Sequence, residues 1–289
     1  MKSKVTILFV ILAGLCIPNP ASAQQNVSLA QNAALRYWSA FSEVQDSGIT
    51  DPQAKELNAI LDGTAPYDDL KYKDLLDKNA LAMEILARAS VIPNCDWGLD
   101  YSLGDNTPVE YVRKSLVLGR LNVLYAFHLF KAGKKDEGIR ALTAGLKFSH
   151  DVANGGSLFA TVIAKDLLVL HLRAVSDSLH LEQLTPVQRG RLQQAVDALG
   201  MHGIDWPSAI KKEMSVLNRP PWQQSISLTQ VTQAYVAAMN DPSHLSKLEQ
   251  VLATVPQPLR DVVPMPKEVI EQKQELDEKL LQTRALLHD

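Results

Sequence analysis

Cysteine is scarce: Cys16 and Cys95 are the two in 289 residues. Cys16 falls in an N-terminal stretch that reads as removable, which leaves Cys95 without a partner for an internal disulfide. The fold must then be held by its apolar core, and a chain of this length can bury one. An excess of positive charge is also missing. Lys and Arg number 29 against 32 Asp and Glu, a formal net charge of −3. This mildly acidic balance is mixed along the chain and argues against a nucleic-acid partner, which needs a basic face. Beyond the N-terminus no apolar run is long enough for a membrane span. No alternating apolar–polar run suggests a strand. The patterns G-x-S-x-G, G-x-x-x-x-G-K-[ST] and H-E-x-x-H are absent, so no nucleophile elbow, phosphate loop or zinc-protease helix is expected. No cofactor or metal is expected either.

The N-terminus carries the most specific signal. MKSK supplies Lys2 and Lys4, VTILFVILAGLCI is apolar, and Pro18-Asn19-Pro20 leads to Ala21-Ser22-Ala23. A basic start, an apolar middle and an A-x-A ending describe a secretory signal peptide over residues 1–23, with the mature chain starting at Gln24. The expected location is therefore exported, periplasmic or secreted. Removal of Lys2 and Lys4 leaves 27 basic against 32 acidic residues, a net charge of −5. A lipoprotein anchored at Cys16 is the competing reading, but Leu15 stands where that processing wants a small residue.

What fills the rest is helical periodicity, punctuated by Gly and Pro. The fold class is all-α, an irregular helical array or bundle. Helices are expected over about 28–46, 52–62, 68–91, 108–132, 135–152, 157–180, 186–199, 206–218, 227–240, 242–254 and 267–288. Asp51-Pro52 reads as a cap followed by proline. Thr107 to Glu110 and Thr185 to Gln188 read as capping boxes, and Ser157, Asp205 and Asp241 as caps. One helical domain over 24–254 is expected, or two halves meeting near 180–185. Residues 255–266 hold four prolines and read as a non-helical linker. The charged helix 267–289 either packs back on the body or reaches a partner.

In the centre, LNVLYAFHLFKAGKKDEGIRALTAGLKFSHD reads as helix, Gly133 stop and second helix. Gly138, Ala141 and Gly145 share one stripe of that second helix. Glycine inside a helix costs about 1 kcal/mol against alanine, so close approach to the preceding helix is expected. The pairing resembles one tetratricopeptide (TPR) hairpin, without a repeated 34-residue period. More widely, Cys95-Asp96-Trp97-Gly98, a long helix with Arg120, a Gly/Ala-rich helix ending at His150 and Ser157-Leu158 opening another resemble a group of uncharacterised exported bacterial all-helical proteins. That resemblance covers residues 80 to 175 and implies an exported helical fold with no stated activity. This chain has Ser149-His150 where the group is expected to have Arg-His.

Six residues form the candidate binding or structural polar site: Cys95, Asp96, Trp97, Arg120, His128 and His150. Cys95 reads as a nucleophile, as a buried plug, or as half of an intermolecular disulfide. The plug is preferred, because the neighbouring Asp96 disfavours a thiolate. Trp97 reads as an anchor on helix 108–132, or as an aromatic wall with Tyr101. Asp96 reads as capping a turn or as pairing with Arg120, a charge inside an apolar helix, and the pair is the first reading to test. His128, His150 and His171 lie on successive helices and could converge. Asp96, Asp100, Asp105 and Asn106 do not follow calcium-loop spacing and read as a solvated loop. Lys165-Asp166 reads as an intrabundle ion pair, as part of a cleft, or as the helix's solvent edge. Trp206 and Trp222 read as staples around a short helix. The preferred function is a non-enzymatic interaction module with a groove lined by helix 108–132 for a protein or peptide partner. The alternatives are an enzyme built on the polar seam and a carrier of an apolar ligand.

Overall fold

The structure is a computed structural model that describes residues 31–45, 49–107, 109–217, 226–261 and 263–288. The expected signal peptide and the Pro220-Pro221-Trp222 turn lie outside these residues. The fold is all-α. Its helices are α1 (Ala33–Glu43), α2 (Asp51–Leu61), α3 (Asp69–Lys78), α4 (Ala80–Ala89), α5 (Glu110–Lys131), α6 (Lys135–Ala153), α7 (Leu158–Leu181), α8 (Pro186–Asp197), α9 (Trp206–Leu217), α10 (Ile226–Asn240), α11 (Leu245–Thr254), α12 (Gln257–Arg260) and α13 (Pro266–His288). Short 3₁₀ segments precede α5 and α11. Among the described residues no helix is long and apolar enough to cross a membrane.

α5, α6 and α7 form the centre, each packed on the other two. α5 and α6 make the expected hairpin, turned at Gly133 in the left-handed region. α1 and α4 cover one side, and α8 and α13 cover another. One apolar cluster runs without interruption from Ala33 to Leu287. α13 packs back against α7 and α8, burying Val269, Ile270, Leu276, Leu280 and Leu287. Lys165 secures it. This residue is only 3% exposed, and its Nζ lies 2.8 Å from Glu275 of α13 and 2.9 Å from Asp166. Of the readings of Lys165, the intrabundle ion pair is the one formed, and the solvent edge is not. A buried ammonium needs paired carboxylates, and here they come from two helices.

Four local expectations are also corrected. The helix expected over 68–91 is two helices. Asn79 is buried at φ −95°, ψ 4°. Its amide accepts from Gln45 N–H at 2.8 Å and donates to Gln45 O and Leu75 O. Tying the chain after α1 therefore wins over continuing the helix. α2 is capped by Thr50 rather than Asp51, with Gln53 Oε1 accepting from Thr50 N–H at 2.9 Å. No side chain caps α5, which begins at Glu110, because Thr107 Oγ1 donates instead to Asp100 O. Within the proline-rich 255–266 segment, Gln257–Arg260 forms one helical turn. Pro258 is tolerated there because first-turn N–H groups have no intrahelical acceptor. The caps at Ser157, Thr185, Asp205 and Asp241 form.

The small-residue stripe of α6 permits the close packing. A Cβ on Gly138 would meet the Phe130 ring at 2.8 Å, and one on Gly145 would meet His171 Nε2 at 2.1 Å and Asn122 Oδ1 at 2.3 Å. His171 of α7 is fully buried. Its Nδ1 lies 2.7 Å from Leu167 O and its Nε2 3.1 Å from Asn122 Oδ1. Burial pushes this imidazole down to about 4, against a smaller upward pull from Leu167 O. The ring is therefore neutral at pH 7. Its Nδ1–H donates to Leu167 O.

Gly190 of α8 offers a contrast, since a Cβ there meets nothing within 4 Å. Gly190→Ala should stabilise the protein by about 0.5–1 kcal/mol through helix propensity. Gly145→Ala should destabilise it by about 1–3 kcal/mol through overpacking, despite the same propensity gain. Urea unfolding of the two variants checks this, and a stabilising Gly145→Ala would contradict the close approach.

Candidate functional site

The Cys95–Tyr101 segment wraps the end of α6. A helix leaves its last four carbonyls without intrahelical donors, and α6 ends inside the protein. Trp97 Nε1 donates to Asp151 O at 2.8 Å. Tyr111 OH donates to Val152 O at 3.2 Å, and Tyr101 OH donates to Gly155 O. The Asp151 carboxylate is 1% exposed. It accepts from Tyr37 OH at 2.8 Å, from Lys147 and from Asn154. Three donors, one of them the Lys147 cation, offset its desolvation.

Around this end the rings stack. Trp97 lies 4.2 Å from Tyr111, 5.9 Å from Tyr37 and 6.2 Å from Phe41, between ring centroids. Trp97 thus sits on the first turn of α5 as an anchor. On its other side the segment is held to the start of α1. Asn32 Nδ2 donates to Asp96 O at 2.8 Å, and Asn32 Oδ1 accepts from Asp96 N–H at 2.9 Å. Ala33 N–H donates to Asn94 O. Cys95 is half-buried against the core, with Sγ 3.9 Å from Asp151 O. Burial raises its thiol well above the ordinary range, and the Asp151 carboxylate raises it further.

The six sequence candidates fall in three places. Cys95, Trp97 and His150 gather around Asp151, with His150 Nδ1 3.9 Å from Asp151 Oδ1. Asp96 does not meet Arg120. It is exposed, and its carboxylate accepts from Gly98 N–H at 2.9 Å. Gly98 has φ +64°, which glycine adopts without strain. Arg120 is exposed on the α2 side of α5, where it lines an open cleft of about 400 Å³ with Asn58, Asp62, Asp166 and Arg173. His128 ties α5 to α3, its Nδ1 2.6 Å from Asp69 Oδ1 and its Nε2 3.7 Å from Asp77 Oδ1. Tyr67 OH donates to the same Asp69 oxygen at 2.9 Å. The convergence expected of Cys95, Asp96, Arg120, His128 and His150 is not formed, nor that of His128, His150 and His171. Helical spacing put Arg120 and His128 on one face, but α2 and α3 claim different parts of it. Among the described residues no three His, Cys, Asp or Glu side chains group as metal ligands.

A surface groove of about 840 Å³ lies over α6. Its floor is the outer stripe Asp136, Arg140, Thr143 and Lys147, and its walls are Ser90 and Val91 beyond α4 and Arg191, Gln194, Ala195 and Ala198 at α8. None of residues 95–101 contributes. Helix 108–132 also lines clefts, of about 400 Å³ at Leu116 and Arg120 and about 410 Å³ at Phe127 and Phe130, as expected of it. The signal for the α6 groove was present in the sequence: positions 136, 140, 143 and 147 repeat at helical spacing, opposite the Gly138–Ala141–Gly145 stripe. Charges there are paired across helices, Arg191 with Asp136 at 3.1 Å and Arg140 with Glu84 at 3.2 Å. The cleft at Phe127 and Phe130 is also lined by Tyr67 and Leu181.

Comparison with protein-family models, curated proteins and solved structures finds no match to the chain.

The folded protein should protect Cys95. With the thiol buried and its ionisation disfavoured, reaction with a disulfide reagent at pH 8 should be slow and should become fast in urea. Reaction at the rate of a free thiol without denaturant would contradict this placement.

Proposed function

We propose that this chain is an exported helical interaction module of the bacterial cell envelope, binding a segment of a partner protein in the groove over α6. The observation that carries this reading is the groove itself. Two helices, α4 and α8, pack on α6 and leave between them the stripe from Asp136 to Lys147. That stripe runs about 16 Å along the helix axis, room for about three helical turns or five extended residues. Val91 stands 80% exposed at the rim, and Ala195 and Ala198 supply apolar wall. The interleaved charges of Asp136, Glu137, Arg140, Lys147 and Arg191 favour a segment that carries both signs. Rim charges of this kind set orientation and association rate more than affinity. Export is supported by the basic–apolar–A-x-A pattern of residues 1–23. The scattered positions of Cys95, Arg120 and His128 supply no common point for a reacting atom.

A photo-crosslinking residue placed at Thr143 tests the groove, with one at Leu70, an exposed α3 position, as the control. In the exporting bacterium, position 143 should give a discrete adduct on a chain beginning at Gln24, and position 70 should not. Arg140→Glu with Arg191→Glu should reduce that adduct about tenfold. Equal labelling from both positions, or none from Thr143, would reject the groove. A chain that retains residues 1–23 in the cytoplasm would reject export.

A further inference from the structure

The cleft at Phe127 and Phe130 opens between α5, α7 and the loop that follows α2. Its volume of about 410 Å³ falls in the range of small-ligand sites. Ala65, Pro66, Tyr67, Phe127, Phe130 and Leu181 make most of its wall. Tyr67 and Phe127 stand 5.9 Å apart between ring centroids. Both rings are only half-buried, and Leu181 is 80% exposed. Apolar surface is therefore open to a ligand here.

The polar side chains on the wall are engaged within the protein, with one exception. Tyr67 OH donates to Asp69 Oδ1 at 2.9 Å, Ser178 Oγ to Val175 O at 2.7 Å, and Arg173 Nη1 to Leu61 O at 3.2 Å. Asp177 lies 3.7 Å from Arg173 Nε, and Glu182 lies 3.5 Å from Lys135 Nζ. Asp69, behind the Tyr67 hydroxyl, is also taken by His128 Nδ1 at 2.6 Å. Lys131 is the exception. It is exposed, and among the described residues it makes no hydrogen bond or ion pair. Lys131, Lys135 and Arg173 thus stand against Asp177 and Glu182, and the unmatched charge is a cation that solvent already reaches.

We propose that this cleft binds a free single-chain carboxylate. Its tail lies on Tyr67, Phe127 and Leu181, and its head meets the Lys131 ammonium. A cationic head finds both wall carboxylates already paired, and a neutral head gains nothing from Lys131. The tail supplies most of the affinity, about fourfold per methylene buried. The head supplies less, because an ion pair open to water is weak. The cleft shares no lining residue with the groove over α6, so either site can fail alone.

The test uses the chain from Gln24 onward with ¹³C-methyl-labelled leucine. The Leu181 methyl resonances are assigned from Leu181→Ala, a change at an exposed position. Decanoate is the probe, with decanol, decyltrimethylammonium and phosphatidylglycerol vesicles as controls. The Leu181 methyls should shift saturably with decanoate below about 1 mM. Octanoate should bind about fifteenfold more weakly. Decanol should bind about fivefold more weakly than decanoate, and Lys131→Gln should remove that difference without changing decanol affinity. Decyltrimethylammonium should bind more weakly than decanol, and vesicles should give no shift. A Leu181 resonance that decanoate does not shift would overturn the proposal. So would equal affinity for decanoate and decyltrimethylammonium, unchanged decanoate affinity in Lys131→Gln, or a shift produced by the vesicles.

Discussion

The last turn of α6 ends inside the protein, and its carbonyl oxygens must find donors there. Backbone N–H groups of Asn154, Gly155 and Gly156 reach Asp151, Val152 and Ala153 O. Trp97 and Tyr111 add a second donor at Asp151 and Val152, and Tyr101 one at Gly155 just beyond the helix. Each of these side-chain donors is also a ring, so the same side chains that bond the backbone fill the space around it. Each ring donor adds a hydrogen bond worth about 0.5–1.5 kcal/mol net. Because Asn32 holds Asp96 on the opposite side, this arrangement joins the start of α1, the start of α5 and the end of α6. Cys95 lies in that joint as a small apolar filler.

From that fixed end, α6 runs between α5 and α7 with its glycines inward and the charges from Asp136 to Lys147 outward. The inward face admits Phe130, Asn122 and His171. The outward face becomes the floor of the groove between α4 and α8. The residues that make tight packing affordable thus also determine which stripe is left for a partner. α13 completes the body through Lys165 and Glu275.

Much of this fold was legible in the sequence, because periodicity and caps are local properties. The α5–α6 hairpin, the Gly133 turn and the caps at Ser157 and Thr185 follow from neighbouring residues alone. The break at Asn79 was not legible, since it depends on Gln45, 34 residues earlier. Pairing across the fold was legible only in part. Trp97 could be placed on α5 because a large ring needs a large neighbour. Arg120 could not be placed, because its exposure depends on where α2 crosses. The cleft at Lys131 draws on three separate stretches of chain, and no spacing in the sequence marks it.

The central claim is that the Cys95–Tyr101 segment is a structural joint whose indole N–H closes α6. Trp97→Phe keeps a ring and removes that N–H, so unfolding stability and amide exchange in this variant test the claim most directly. The account predicts a loss of about 1–2 kcal/mol and faster exchange in the last turn of α6 and the first turn of α1. Stability within about 0.5 kcal/mol of the parent protein, with exchange unchanged at both ends, would contradict it.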